Sequence, residues 1–381
     1  MIFELLRKPG PQDMKSTADA FAYFQYGMIG VGFLQPSKGR RLYMMFRGLV
    51  IMWSVIYLPL AMIMGCVDEI QHISPDEFLK LLAIVINIFG CSLKILAFYI
   101  YLPNYHKVKK LMNRMDEFCV TNEGDRLRIR YWVARCNVIF IIYLTLYNSY
   151  CALAFLNSAL HKMPPYRENN PFIDWLTFIT VQHLLVDVFN VIYCLMLRVH
   201  IEILRERVGK SGTDPEETER ECYEELVKCI AQHELILKYS DLMRSLFSLT
   251  TFIQFILIGT LLGCTLVNLV CFSDFWNGLS CVIYIIGLMS LTFPFCYICD
   301  LIKIDCEGLA LAIFHSNWIG SSLLYKSTII QFIQRAQKPI AFKAGSIFPI
   351  CMQTNIEVAK LAFSVVTFVK KLNIADKFFM K

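Results

Sequence analysis

The chain has 381 residues, 56% of them hydrophobic and 18% charged, with a mean hydropathy of +0.50. Its apolar residues gather in stretches of the length a bilayer demands, about 20 residues for about 30 Å of hydrocarbon, which excludes an ordinary soluble domain. The net charge of +6 calls for no nucleic-acid partner, because the basic residues cluster between apolar stretches. Most of the 15 cysteines fall inside those stretches, where a thiol is a small hydrophobe rather than half of a disulfide; a membrane-edge pair such as Cys66 with Cys271 stays open.

The opening MIFELLRKPG lacks the apolar core and small-residue site of a cleaved signal, so the first span is expected to direct insertion. Seven spans are predicted in chain order, over 42–67, 78–102, 131–160, 172–199, 246–272, 277–299 and 349–370. No period-2 alternation suggests a barrel, so the predicted class is all-α, a seven-transmembrane-helix membrane protein.

Orientation follows from Lys and Arg. They crowd the segment before the first span (Arg7, Lys8, Lys15, Lys38, Arg40, Arg41), the second loop (Lys107, Lys109, Lys110, Arg114, Arg126, Arg128, Arg130), and the fourth and sixth connections. The opposite side has only Lys162 and Arg167 in its loops, with Lys370, Lys371, Lys377 and Lys381 at the end. The N-terminus is therefore predicted to be cytoplasmic and the C-terminus extracellular, the reverse of a G-protein-coupled receptor.

The polar stretch RECYEELVKCIAQHELILKYSDLMRS (219–244) carries Tyr223, Leu226, Val227, Ile230, His233 and Leu237 at helical spacing and reads as the fifth helix extended inward. Gly209, Gly212 and Pro215 mark a break before it. The last helix is expected in two parts, an amphipathic 322–343 and a span resuming after Gly345 and Pro349, polar for a membrane helix at Gln353, Asn355, Glu357, Lys360, Ser364 and Thr367. Such groups either pack against neighbouring helices or line an aqueous path. Lys94 and Asp187 are read as an intramembrane ion pair, since either charge alone is costly there.

The predicted organisation is a cytoplasmic segment 1–41, a bundle of four spans 42–200, a cytoplasmic extension 201–245, spans five and six over 246–299, cytoplasmic helices 300–345, a last span 349–372 and an outer tail 373–381. No enzyme is indicated. GKS at 209–211 has Leu204 where a phosphate loop needs glycine, and HELIL at 233–237 has Leu237 where a zinc helix needs its second histidine. Neither a metal site nor a cofactor is expected.

Four segments carry a resemblance: FYIYLPNYHKVKKLM (98–112), CIAQHELILKYSDLMRSLFS (229–248), CDLIKIDCEGLALAIFHSNW (299–318) and RAQKPIAFKAGSIFPICMQTNIEVAKLAFSVVTFVKKL (335–372). In order and spacing they resemble the insect odorant receptors. The short connection between the fourth and fifth helices is unlike the long insertion of the family's co-receptor, so the chain resembles a ligand-specific tuning subunit. That resemblance implies a ligand-gated, non-selective cation channel in the cell membrane of olfactory sensory neurons, a tetramer formed with the co-receptor around a pore of seventh helices. Related gustatory receptors offer a second reading; a transporter or a G-protein-coupled receptor fits less well.

The resemblance also places a small volatile ligand in the outer half of the bundle. Candidate contacts there are Phe89, Tyr143, Tyr147, Tyr150, Trp175, Phe178, Ile179, Gln182, His183 and Tyr284, an aromatic chamber with few polar groups. Ordinary helix packing explains an aromatic stripe as well, and His183 equally suits a hydrogen-bonded interior position. For the pore, Glu357 is expected to concentrate cations at the inner end and Val365, Val366 and Val369 to supply an apolar gate. Lys371 and Ala375 fall near the co-receptor's narrowest apolar residues; Lys370 and Lys371 either repel cations there or snorkel to headgroups.

Overall fold

The computed structural model describes residues 16–34, 40–69, 75–120, 122–161, 172–211, 218–271 and 275–371. A short 3-10 turn, Thr17–Phe21, leads into helix α1 (Ala22–Gly30). Helices α2 (Arg40–Met52) and α3 (Leu58–Glu69) continue through a π-helical turn, Trp53–Tyr57, and form the first long apolar rod. There follow α4 (Pro75–Tyr101), α5 (Pro103–Glu117), α6 (Glu123–His161), α7 (Phe172–Lys210), α8 (Glu219–Cys271), α9 (Phe275–His315), α10 (Leu323–Ala336) and α11 (Met352–Lys371).

Six of these rods are long and apolar enough to cross a membrane. The seventh, α11, is 20 residues long, enough to span, yet it carries the polar residues noted above. The all-α class stands. The predicted spans cover only the apolar part of each rod, because hydropathy marks the part of a helix in lipid while the hydrogen-bonded rod runs on; the stretch 219–244, expected as an extension of the fifth span, is continuous with it. Helix α8 spans 53 residues and α9 spans 41. Helix α10 stops at Ala336, short of the predicted 343, since Pro339 cannot continue it.

Between α10 and α11 lies a feature the sequence reading took only as an interruption. Strands β1 (Lys343–Ala344) and β2 (Phe348–Pro349) pair antiparallel, Ala344 opposite Phe348. The turn places Gly345 at φ 58° and Ser346 at φ 62°. Gly345 is required twice over: its backbone is left-handed, and a Cβ there would meet the Phe252 ring at 2.7 Å. Its N–H donates to the Ser248 carbonyl at 2.8 Å, pinning the hairpin to α8.

The main core sits toward the cytoplasmic half. Phe21, Phe24, Phe98, Phe189, Tyr193, Tyr239 and Phe247 are all buried there, with neighbouring rings at centroid separations of 4.1 to 6.3 Å. The Tyr239 hydroxyl donates to the Tyr193 carbonyl at 3.1 Å, so the largest polar tip in this core is satisfied. Charged ties hold the helix extensions: Arg198 and Arg205 of α7 pair with Asp305 of α9. Arg207 donates to Asp125 at 2.9 Å, to Gln232 at 2.9 Å and to the Phe118 carbonyl at 2.6 Å. A second, smaller core joins Ile258, Leu261 and Leu262 of α8 to Leu288 of α9 and Ala362 of α11.

Candidate functional site

Helices α4, α6, α7 and α8 meet around a polar cluster inside an otherwise apolar bundle. Lys94 of α4 is fully buried, and its ammonium donates to Asp187 of α7 and to the side-chain carbonyl of Gln254 on α8. His183, one turn before Asp187, sets Nε2 3.3 Å from the Lys94 amine and Nδ1 3.2 Å from the Asp187 carboxylate. A neutral imidazole with its proton on Nδ1 satisfies both contacts. The Tyr147 hydroxyl of α6 donates to the other Asp187 oxygen at 3.0 Å. A charge withdrawn from water costs several kcal/mol unless paired and hydrogen-bonded, and here four helices supply the partners. The ion pair expected between Lys94 and Asp187 is thus formed, and Gln254, which no sequence argument singled out, completes it.

Tyr143, one turn from Tyr147 on the same face, has a buried hydroxyl with no partner. Gln182 donates its amide to the Val31 carbonyl at 3.2 Å, leaving its own carbonyl buried and unpaired. These two groups and the Lys94 cluster give the bundle unfilled hydrogen-bonding capacity beside satisfied charge.

Not every expected contact joins them. Phe89 is half exposed, on the α4 stripe it shares with Leu93, Leu96 and Ile100, while Lys94 and Cys91 take the inward face. Tyr284 packs with the smaller core of α8, α9 and α11 instead of with the tyrosines of α6. The side chains of Tyr150, Trp175, Phe178 and Ile179 lie outside the described residues, although their backbones belong to α6 and α7.

Helix α11 is the other candidate element. Its first turn is tied down by the Met352 N–H donating to Asp300 of α9 at 2.9 Å and by the Thr354 hydroxyl donating to the Pro349 carbonyl at 2.7 Å. Thr292 of α9 donates to Asn355 at 2.9 Å, so that polar residue is a packing contact. Thr354, Asn355, Ala362 and Val366 form the buried face. Val366, expected in the gate, is only 4% exposed and turns into its own bundle. Val365 is exposed and Val369 half-buried. Gln353, Glu357, Lys360, Ser364, Thr367 and Lys371 are all exposed. Steps of four and three place them in one stripe, which at 3.6 residues per turn lies opposite the buried face. That spacing was legible in the sequence and would have found the stripe. Ala375 lies outside the described residues.

Long apolar helices around a matched buried charge, with one polar-striped helix at the edge, define a polytopic membrane protein. The family model described as 7tm Odorant receptor matches residues 74–363. Odorant receptor 98a of Drosophila melanogaster is 42% identical and odorant receptor 42b of the same species 40%, each over 99% of both chains. The insect olfactory receptor OR5 from Machilis hrabei shares the fold at a TM-score of 0.71 and 13% identity, covering 92% of this chain and 97% of its own. Its structure in complex with eugenol matches with a TM-score of 0.71 over 94% of this chain. This chain belongs to the odorant receptor family.

Proposed function

We infer that this odorant receptor is the ligand-specific subunit of an odorant-gated, non-selective cation channel, working with the family's co-receptor in a hetero-oligomer of four chains. The observation that carries this reading is the exposed polar stripe of α11. A spanning helix that leaves Glu357, Lys360, Ser364 and Thr367 uncovered by its own subunit has an aqueous path as the favourable place for that face. Glu357 is its inner pore-side residue, Val365 stands beyond the Leu361 flank, and Lys371 stands at the outer mouth.

Ligand enters the bundle of residues 42–200, where Tyr143, Tyr147, Gln182 and His183 offer aromatic surface and a few polar groups, the composition that suits a small volatile molecule. The Machilis receptor bound to eugenol supports a ligand of that size. Residues 201–245 and 300–345 form the cytoplasmic anchor that holds subunits together, and the receptor resides in the dendritic membrane of olfactory sensory neurons.

The test is whole-cell current under a panel of volatile esters, alcohols, ketones and phenols, eugenol included, with G-protein signalling blocked. Cells express this chain alone or with the co-receptor. Fast current with co-expression is expected; second-messenger signals without current would refute the channel. Tyr147→Ala, which removes a ring and the donor to Asp187, is expected to shift the half-maximal concentration about five- to thirtyfold, as the loss of a 1–2 kcal/mol contact predicts.

A further inference from the structure

We propose that Lys360 is the residue through which this chain restrains divalent cations in the conduction path. The inference rests on the channel reading above and adds to it the charge that this subunit places inside the pore.

The argument begins with depth. Lys360 stands eight residues into α11, about 12 Å along the rod at 1.5 Å per residue, and eleven residues, about 16 Å, before Lys371. That is too far from either end for the ammonium to reach headgroups comfortably, and an ammonium facing hydrocarbon is strongly disfavoured. Yet the side chain is exposed, and among the described residues it has no ion-pair partner.

Its neighbours decide where it points. Glu357 and Ser364 flank it on the same stripe, with Gln353 and Thr367 beyond them, while the Gln353 amide donates to Glu357 at 3.0 Å. Apolar Leu361 and Phe368 are exposed on one flank and Ile356 and Phe363 on the other, surfaces fit for adjoining helices. Only the strip between those flanks is polar, so water belongs there.

A fixed positive charge beside an aqueous path repels each ion in proportion to its valence. At about 8 Å through water one such charge lowers local occupancy roughly twofold for a monovalent cation and roughly fivefold for a divalent one. Glu357, one turn inward, offsets part of this at the cytoplasmic side, which leaves the discrimination concentrated at Lys360.

The experiment uses the full chain with its co-receptor and the volatile panel named above. Ser364→Cys and Thr367→Cys are compared with Ala362→Cys and Val366→Cys for block by a positively charged methanethiosulfonate, against the reagent's effect on the unsubstituted chain. Calcium-to-sodium permeability is then measured for Lys360→Met, Lys360→Gln and Lys360→Arg, with surface labelling of each. Block confined to positions 364 and 367 is expected, together with a calcium ratio raised about two- to threefold in the Met and Gln variants and kept in Arg. Block at 362 and 366 instead, or an unchanged calcium ratio in variants that carry robust current, overturns this inference and leaves the channel reading standing. Absence of ligand-evoked current from the unsubstituted pair overturns the channel reading, and this inference with it. If Met fails to reach the surface, the Gln variant and the cysteine pattern decide.

Discussion

Lys94 and Lys360 both stand deep within membrane-spanning helices of this receptor, and their surroundings are opposite. Lys94 is fully buried in the four-helix meeting of α4, α6, α7 and α8, with a carboxylate, an imidazole and an amide closed around it. Lys360 is exposed on α11 with its apolar flanks bare. The bundle therefore settles its polar groups inside one subunit, whereas α11 leaves its own for something beyond the subunit. The first arrangement suits a rigid sensing body; the second suits a wall that is complete only in an assembly.

The largest effect expected from breaking this contrast is at Lys94. Lys94→Met strands Asp187 in a dry interior and should cost about 3–5 kcal/mol, the range for removing one partner of a buried pair. A thermal melt of the detergent-solubilised receptor checks it. The same substitution at Lys360 should move stability by about 0.5 kcal/mol or less, as exposed positions do. Equal losses at both would erase the distinction. Reversing both charges, Lys94→Asp with Asp187→Lys, should recover only part of the loss, because Tyr147 then meets an ammonium with its hydroxyl hydrogen.

Asp116 sharpens the comparison, since it is a half-buried acid that pairs with no lysine among the described residues. The Thr17 backbone N–H donates to it at 2.8 Å, the Thr17 hydroxyl donates to its other oxygen, and His200 Nε2 lies 3.7 Å away. Burial pushes its carboxyl up from 3.8 to about 6, against the lowering by the Thr17 hydrogen bonds. A carboxyl raised on folding stabilises fully below its unfolded value and loses that contribution as pH rises through the folded value. Stability should therefore fall by about 2 kcal/mol between pH 3.8 and about 6 from this group, at 1.36 kcal/mol per unit with allowance for its partial exposure. Asp116→Asn should flatten that window in melts taken across it; an unchanged slope would assign the pH dependence elsewhere.

Sequence made the sensing bundle legible in one respect and opaque in another. Lys94 and Asp187 stood out because an ion in an apolar run demands a counter-ion, and the pair is there. Gln254 did not stand out, since a neutral amide in a long helix carries no comparable penalty to announce it. The directions of Phe89, half exposed, and Val366, buried, were not legible because hydrophobicity gives none: either face of a membrane helix is apolar, one toward protein and one toward lipid. On α11 the polar stripe did have direction, encoded in steps of four and three. The β1–β2 hairpin was invisible because two-residue strands are below the length at which alternation can be read.

A smaller effect is expected at Gly90, where α4 crosses α8. A Cβ there would fall on the Leu257 side chain, which must swing aside for α4 to keep its distance. Overpacking of this kind costs about 1–3 kcal/mol, while replacing a mid-helix glycine with alanine returns about 1. Gly90→Ala should thus destabilise by about 1 kcal/mol net, and Gly90→Ala with Leu257→Ala should lose less in the same melt than the two single variants added together. If the single variant is neutral or stabilising, the α4–α8 contact is looser than the Lys94–Gln254 bond implies.

The smallest effect belongs to the helix extensions. Arg220 and Glu224 pair at 3.0 Å near the start of α8, with side chains 88% and 56% exposed. An exposed pair one turn apart contributes about 0.3–0.5 kcal/mol at most, because water screens it and two long side chains lose freedom to form it. Arg220→Ala should leave the melt of a solubilised single subunit unchanged within that margin. Arg207, 14% exposed and bonded to two helices and a carbonyl, provides the contrast in the same region. A larger loss for Arg220→Ala, seen only when the assembled receptor is melted, would mean that this end of α8 is covered by another subunit. The bare surface of α11 would then have a counterpart in the cytoplasm, and the division between a self-satisfied bundle and an edge left for assembly would extend along the whole length of the molecule.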